Sequence, residues 1–242
     1  MKQSGTLYGI GVGPGDPDLI PVKAVRTLGS VDVVFTAAST RNNYSRALEI
    51  VRHHLSERIA IDKLDFPMSK DHEVMECAWR QHATRIAGVL EQGRDAAFLT
   101  LGDPLTYSTY GYILRHLKAD WPDLPVLTIP GITSYQAAAA AVNQPLVEGE
   151  ESLLILSGVH GGERLHRMMP PPDNVVFLKA YRDVIGISEA LEQTGLAECS
   201  VAVSNCSTDE QVINTNLKEL GKQPPNYWTL IIAKRNKHVS KK

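Results

Sequence analysis

The 242-residue sequence predicts an α/β protein, with strands and helices in alternation. Asp95–Thr100 is apolar on nearly every residue, as a strand covered on both faces must be. Between such runs lie stretches with apolar residues at helical spacing, the clearest from Asp71 to Gln92. Toward the end the strands crowd together, which predicts a mixed second sheet after a mainly parallel first one. An apolar content of 43% supplies a full core.

Taken in order, Thr6–Val12 is a strand that ends in the glycine turn Gly11-Val-Gly-Pro-Gly-Asp-Pro17. A helix follows from Pro21 to Leu28, with proline in the first turn, where its missing N–H is not needed. Val31–Thr36 is the second strand and completes a βαβ unit. This unit lacks the dinucleotide fingerprint. Counting from Gly9 or Gly11, the third-glycine position holds Pro14 or Asp16, and Asp32 lies at the wrong end of its strand to bind a ribose. No GxxxxGK[ST] loop is present either.

The polar loop Ser39–Ser45 leads into a helix through His54, and Arg41 and Arg46 suit an anionic substrate. Beyond Ile59–Asp62, the long amphipathic helix carries Val74, Met75, Ala78, Trp79, Ile86, Val89 and Leu90 on its apolar face. The strand Asp95–Thr100 then breaks at Gly102-Asp103-Pro104. Glycine permits angles that a Cβ forbids, and proline removes a donor, so the chain must turn before a helix from Tyr107 to Leu117. Leu101, Gly102, Asp103 and Thr106 therefore fall beyond the carboxyl ends of the strands, where open α/β sheets bind ligands. The turn is expected to hold a small cofactor.

Trp121-Pro-Asp-Leu-Pro125 reads as a linker, giving halves at 1–120 and 121–235 and a basic tail, 236–242, expected to be disordered. Val126–Ile129 is a strand. Pro130-Gly-Ile-Thr-Ser134 is a third glycine turn, with Thr133 and Ser134 placed to cap a helix over 135–142. Strands follow at 152–157, 174–179, 198–204, 209–215 and 227–233, with helices at 162–169 and 184–193.

A net charge of −2 gives no broad field for nucleic acid. No run approaches the roughly 20 apolar residues of a membrane span, and the start lacks a signal-peptide core, so no membrane partner and a cytoplasmic location are expected. Cys77, Cys199 and Cys206 are odd in number and without CxxC spacing, which supports neither disulfides nor a metal site.

The three turns at 11–17, 101–107 and 130–134, in that order, with the ending Tyr227-Trp-Thr-Leu-Ile-Ile-Ala-Lys-Arg235, resemble the tetrapyrrole methyltransferases of corrin and siroheme synthesis. Gly5–Pro17, Ala97–Pro104 and Tyr107-Ser-Thr-Tyr-Gly-Tyr112 look like the branch that methylates carbon 20 of precorrin-2 or its cobalt complex. The resemblance implies two α/β domains, S-adenosylmethionine in the cleft between them, S-adenosylhomocysteine as product, and a homodimer. Carried over residue by residue, the family's cofactor contacts fall on Pro14, Leu101, Gly102, Asp103, Thr106, Thr133 and Ser134, and then on Lys179, Cys206, Thr229 and Leu230.

Asp103 is expected either to face the ammonium of the methionine moiety or to cap the helix after it. The tetrapyrrole's carboxylates call for cations, with Arg41, Arg46, Lys179 and Arg182 as candidates. The substrate's meso carbon has enamine character and supplies the nucleophile. No catalytic base is singled out. Where relatives carry an acid after the second strand, this chain reads Phe35-Thr-Ala-Ala-Ser39, which leaves Tyr110, Tyr112 and His160 as substitutes. Relatives of the same fold also methylate RNA or protein, and the near-neutral charge argues against RNA.

Overall fold

The structure, a computed structural model, describes residues 3–39, 45–67, 69–222 and 225–236. It divides into two compact units, Met1–Thr133 and Ser134–Lys242.

The first unit is built on β1 (Leu7–Gly11), β2 (Val33–Ser39), β3 (Ala60–Phe66), β4 (Ala96–Thr100) and β5 (Val126–Ile129), all parallel in the order β3-β2-β4-β1-β5. Its helices are α1 (Val22–Leu28), α2 (Arg46–Val51), α3 (His72–Glu91) and α4 (Tyr110–Asp120). Successive strand residues point to opposite faces, and both faces are covered. Leu7, Phe35 and Phe98 pack with Trp79, Ile86 and Leu90 of α3 and Ile113 of α4. Val34, Ala97 and Leu99 pack with Ala24 and Leu28 of α1 and Leu48 and Val51 of α2. Burying each valine, leucine, isoleucine or phenylalanine among them stabilises the fold by about 1.5–3 kcal/mol.

Two expectations change here. β5 pairs with β1 from Leu7↔Val126 to Ile10↔Ile129, so the first unit runs through Thr133 and does not stop at residue 120. β3 is an edge strand of this sheet, and its Asp62 pairs with Arg85 of α3 at 2.7 Å. α4 begins at Tyr110 and not Tyr107, because Tyr107 sits at φ 51° and the Ser108 hydroxyl accepts the Tyr110 N–H at 3.0 Å. The glycine turn is thereby three residues longer.

The second unit contains α5 (Ser134–Ala141), β6 (Leu153–Ser157), α6 (Glu163–His166), β7 (Asn174–Leu178), α7 (Val184–Gln193), β8 (Cys199–Ser204), β9 (Val212–Asn214), α8 (Leu217–Leu220) and β10 (Thr229–Lys234). Its sheet order is β6-β7-β10-β8-β9, with β6 and β7 parallel and the other pairs antiparallel. The predicted helix 162–169 shrinks to α6, since the three prolines 170–172 cannot continue it. The strand expected over 209–215 keeps only Val212–Asn214. α8 escaped the sequence reading, although Asn216 marks it by accepting the Glu219 N–H at 3.3 Å. Residues 237–242 of the basic tail lie outside the described residues.

One consequence of this topology positions chemistry. β10 runs antiparallel to both of its neighbours, β7 and β8, so its first residue lies at their carboxyl ends.

Candidate active site

In the first unit the predicted turns meet at the carboxyl ends of β4, β1 and β5, which are adjacent in the sheet. The turn after β1 bonds to the turn after β4: Gly102 N–H donates to Gly13 O at 2.7 Å, and Gly13 N–H to Gly102 O at 3.3 Å. Gly11 and Gly131 then close against the same carbonyl. A Cβ on Gly11 would stand 2.6 Å from Gly102 O, and one on Gly131 would stand 2.2 Å from it. Three backbones thus interlock at a distance that no side chain permits. Gly13 and Gly102 also sit at φ 84° and 71°, in the region that favours glycine.

Asp103 braces this junction. Its Oδ1 accepts from the Leu105 N–H at 2.9 Å and the Thr106 hydroxyl at 3.2 Å, while Oδ2 accepts from the Gly131 N–H at 3.2 Å. It does not cap α4, whose N-cap is Thr109. The carboxylate therefore ties the β4 turn to the β5 turn, a role that sequence spacing did not reveal. With three of about four acceptor positions taken, Oδ2 retains capacity for one more donor. Pro14 and Thr133 are buried in the same cluster of turns, and Ser134 opens α5.

In the second unit, Lys179, Cys206, Thr229 and Leu230 are brought together at one end of the sheet. Ala180 N–H donates to Thr229 O at 2.8 Å, and Asn205 N–H to Trp228 O at 3.2 Å, which joins the ends of β7 and β8 to the start of β10. The Thr229 and Ser204 hydroxyls lie 2.7 Å apart. Lys179, Asn205 and Ser207 take φ of 57°, 48° and 61°, an uncommon conformation for residues with side chains and concentrated here after the two strands that flank β10. Cys206 is buried, and that burial pushes its thiol pKa up, so it is a neutral thiol and not a thiolate nucleophile.

Other candidates separate. Arg46 opens α2 after Ser45, whose hydroxyl bonds to Thr36 and caps the helix at Leu48 N–H. Arg41 lies outside the described residues. Tyr110 is fully buried in the first core, its hydroxyl 3.0 Å from the Thr128 hydroxyl, and burial raises its pKa. Tyr112 stacks flat on Trp79 with centroids 4.0 Å apart. Both tyrosines have packing roles. His160 follows β6 and is exposed.

The donor set indicates what would bind. The turns 11–17, 101–107 and 130–134 contain no Lys or Arg, but they do contain Asp16 and Asp103. A nucleoside carrying a cationic sulfonium and an ammonium suits these hydroxyls, peptide groups and carboxylates. The residues present fit S-adenosylmethionine.

Residues 6–221 match the family model of the tetrapyrrole (corrin/porphyrin) methylases. The chain belongs to this family.

This tetrapyrrole methylase is 32% identical over 234 residues to the cobalt-precorrin-2 C(20)-methyltransferase of Salmonella typhimurium, covering 96% of this chain and 97% of that protein. It is 30% identical over 238 residues to the precorrin-2 C(20)-methyltransferase of a Sinorhizobium species, covering 95% of each. Among solved structures, the uroporphyrin-III C-methyltransferase of Thermus thermophilus complexed with S-adenosylhomocysteine matches with a TM-score of 0.66. That match covers 95% of this chain and 97% of the other at 23% identity, a likeness of fold. The tetrapyrrole methylase described here is a methyltransferase enzyme of a family that uses S-adenosylmethionine. No helix among its described residues is long and apolar enough to cross a membrane.

Proposed function

We propose that this enzyme transfers a methyl group from S-adenosylmethionine to carbon 20 of precorrin-2 or its cobalt complex in corrin synthesis. The observation that carries this reading is the end-to-end similarity, at 30% identity or more, to two proteins named for that reaction. The cation-free, glycine-bridged turns add physical support.

When bound, S-adenosylmethionine supplies an electrophilic methyl on a sulfonium. The chain's contribution is position. Methyl transfer needs near-linear alignment, and such orientation is worth on the order of 7–11 kcal/mol. In the proposal, Pro14, Leu101, Gly102, Thr106, Thr133 and Ser134 hold the nucleoside and carboxylate through backbone and hydroxyl groups. The open acceptor position on Asp103 Oδ2 takes the ammonium. Lys179, Cys206, Thr229 and Leu230 complete the contacts, with the last three lining the site through neutral or apolar atoms. A rigid glycine junction suits this task because it fixes the bound molecule without side-chain entropy to lose. Arg46 and Arg182 are the proposed partners of the substrate's carboxylates. The same reading carries a homodimer working in the cytoplasm without a nucleic-acid partner, which light scattering of the purified protein tests at the level of assembly.

The decisive experiment is anaerobic incubation with S-adenosylmethionine and either precorrin-2 or its cobalt complex, followed by mass spectrometry of the pigment and location of the methyl by NMR. One added methyl at carbon 20 is the expected product. A methyl elsewhere, or none on either substrate, refutes the assignment.

A further inference from the structure

Beside Thr229 lies a surface that the cofactor reading does not use. Tyr227 and Trp228 are each 43% exposed, although they lead directly into the fully buried β10. The Tyr227 ring is 5.1 Å from that of Tyr181, tilted by 59°, and 4.9 Å from that of Trp228, edge-on at 88°. Edge-to-face packing of this kind holds the three rings in place while leaving area open to solvent. Arg182 is fixed to the same group. Its Nε donates to the Tyr181 hydroxyl at 2.9 Å, and its guanidinium carbon lies 5.4 Å from the centre of that ring.

Arg182 is exposed, and no carboxylate among the described residues forms an ion pair with it or with Lys179. A single bond through Nε leaves both terminal nitrogens available to a carboxylate. Ring faces and an uncompensated guanidinium together suit a ligand that is flat, apolar in its plane and anionic at its rim. An adenine base would satisfy the rings but not the arginine. A polycarboxylated tetrapyrrole satisfies both. Burial raises the Tyr227 pKa and outweighs the opposing effect of Arg182, so its hydroxyl stays protonated at neutral pH and can donate to the rim.

We infer that Tyr181, Tyr227 and Trp228 form a ledge for one edge of the tetrapyrrole, with Arg182 gripping a peripheral carboxylate. The inference rests on the proposed tetrapyrrole reaction and adds to it the residues that select the substrate. These are positioning contacts for substrate, separate from the cofactor contacts.

The test measures S-adenosylhomocysteine binding by calorimetry and tetrapyrrole binding by anaerobic absorbance titration, using precorrin-2 and the air-stable octacarboxylate uroporphyrin. The proteins are the wild type, Arg182→Ala, Tyr227→Ala and the conservative Tyr227→Phe. A carboxylate contact of this kind is worth about tenfold or more in affinity. Arg182→Ala and Tyr227→Ala are expected to weaken tetrapyrrole binding by about that factor, with KM rising and kcat at saturation held. Tyr227→Phe should recover most of the loss, and S-adenosylhomocysteine affinity should stay unchanged throughout. Unaltered tetrapyrrole affinity in both alanine variants overturns the ledge. So does weakened S-adenosylhomocysteine binding in Arg182→Ala, which would place that residue among the cofactor contacts. A wild type that binds uroporphyrin but neither binds nor methylates precorrin-2 sinks the carbon-20 reading instead, and the ledge is then judged on uroporphyrin alone.

Discussion

Replacing Gly131 by alanine tests whether the three turns depend on backbone contact. The added Cβ would lie 2.2 Å from Gly102 O and 2.8 Å from both the carbonyl carbon and Cα of Gly11. All three are backbone atoms, held by the Gly13–Gly102 bridge, so no flexible side chain can swing away. Restoring an ordinary contact requires the turns to part by roughly 1 Å. That movement strains the Gly13–Gly102 pair and the Gly131 bond to Asp103, and overpacking of this kind costs about 1–3 kcal/mol. Urea unfolding should show the midpoint falling accordingly, and calorimetry should show S-adenosylhomocysteine affinity reduced at least tenfold, about the effect of 1.4 kcal/mol. Gly88→Ala is the control. It lies within α3 with nothing inside 4 Å of the added Cβ, and should stabilise by up to about 1 kcal/mol without touching cofactor binding. If Gly131→Ala unfolds at the wild-type midpoint and binds S-adenosylhomocysteine as the wild type does, the interlocked-turn account is wrong.

Asp103→Ala removes the acceptor for Leu105 N–H, Thr106 and Gly131 N–H and should cost about 1–3 kcal/mol in urea unfolding. Asp103→Asn should fall between it and wild type, since an amide can accept on one side only. Tyr110→Phe loses one buried hydrogen bond to Thr128, so stability should drop by about 1 kcal/mol while kcat is unchanged. A hundredfold fall in its kcat would instead make the hydroxyl catalytic. Asp173 has its pKa lowered, first by the Ser152 N–H and then by the Ser152 hydroxyl. A depressed carboxylate contributes stability above its unfolded value of 3.8 and loses it as pH falls through the lower folded value. Urea midpoints between pH 7 and 3 should therefore fall less steeply at the acid end in Asp173→Asn than in wild type; equal slopes would show that the clasp to Ser152 has no linkage to folding.

The sequence alone determined the alternation of elements, the apolar strand through Phe98 and the positions of the three glycine turns. Each is a local property: an unbroken apolar run, a helical period, or a residue without Cβ where the chain must bend. The relation between turns was not local. That Gly11, Gly102 and Gly131 touch follows from β1 lying between β4 and β5, a pairing of segments about 90 and 120 residues apart in the chain that no short-range pattern encodes. The same applies to Asp103, where spacing suggested a helix cap or a ligand contact, but its Oδ2 crosses to Gly131.

In the second unit, short strands bounded by turns were legible, while α8 was too brief for its period to show. Tyr181 and Tyr227 are 46 residues apart by number and meet only because β10 returns antiparallel beside β7. Tyr110, read as a possible base, proved to be core, since burial depends on what packs over a helix and not on the residue's type. Local chemistry thus fixed which residues can turn, cap and stack. The order of the strands decided which of them meet, because contact between distant segments is settled by the tertiary fold that buries the most apolar surface while pairing every backbone group it covers.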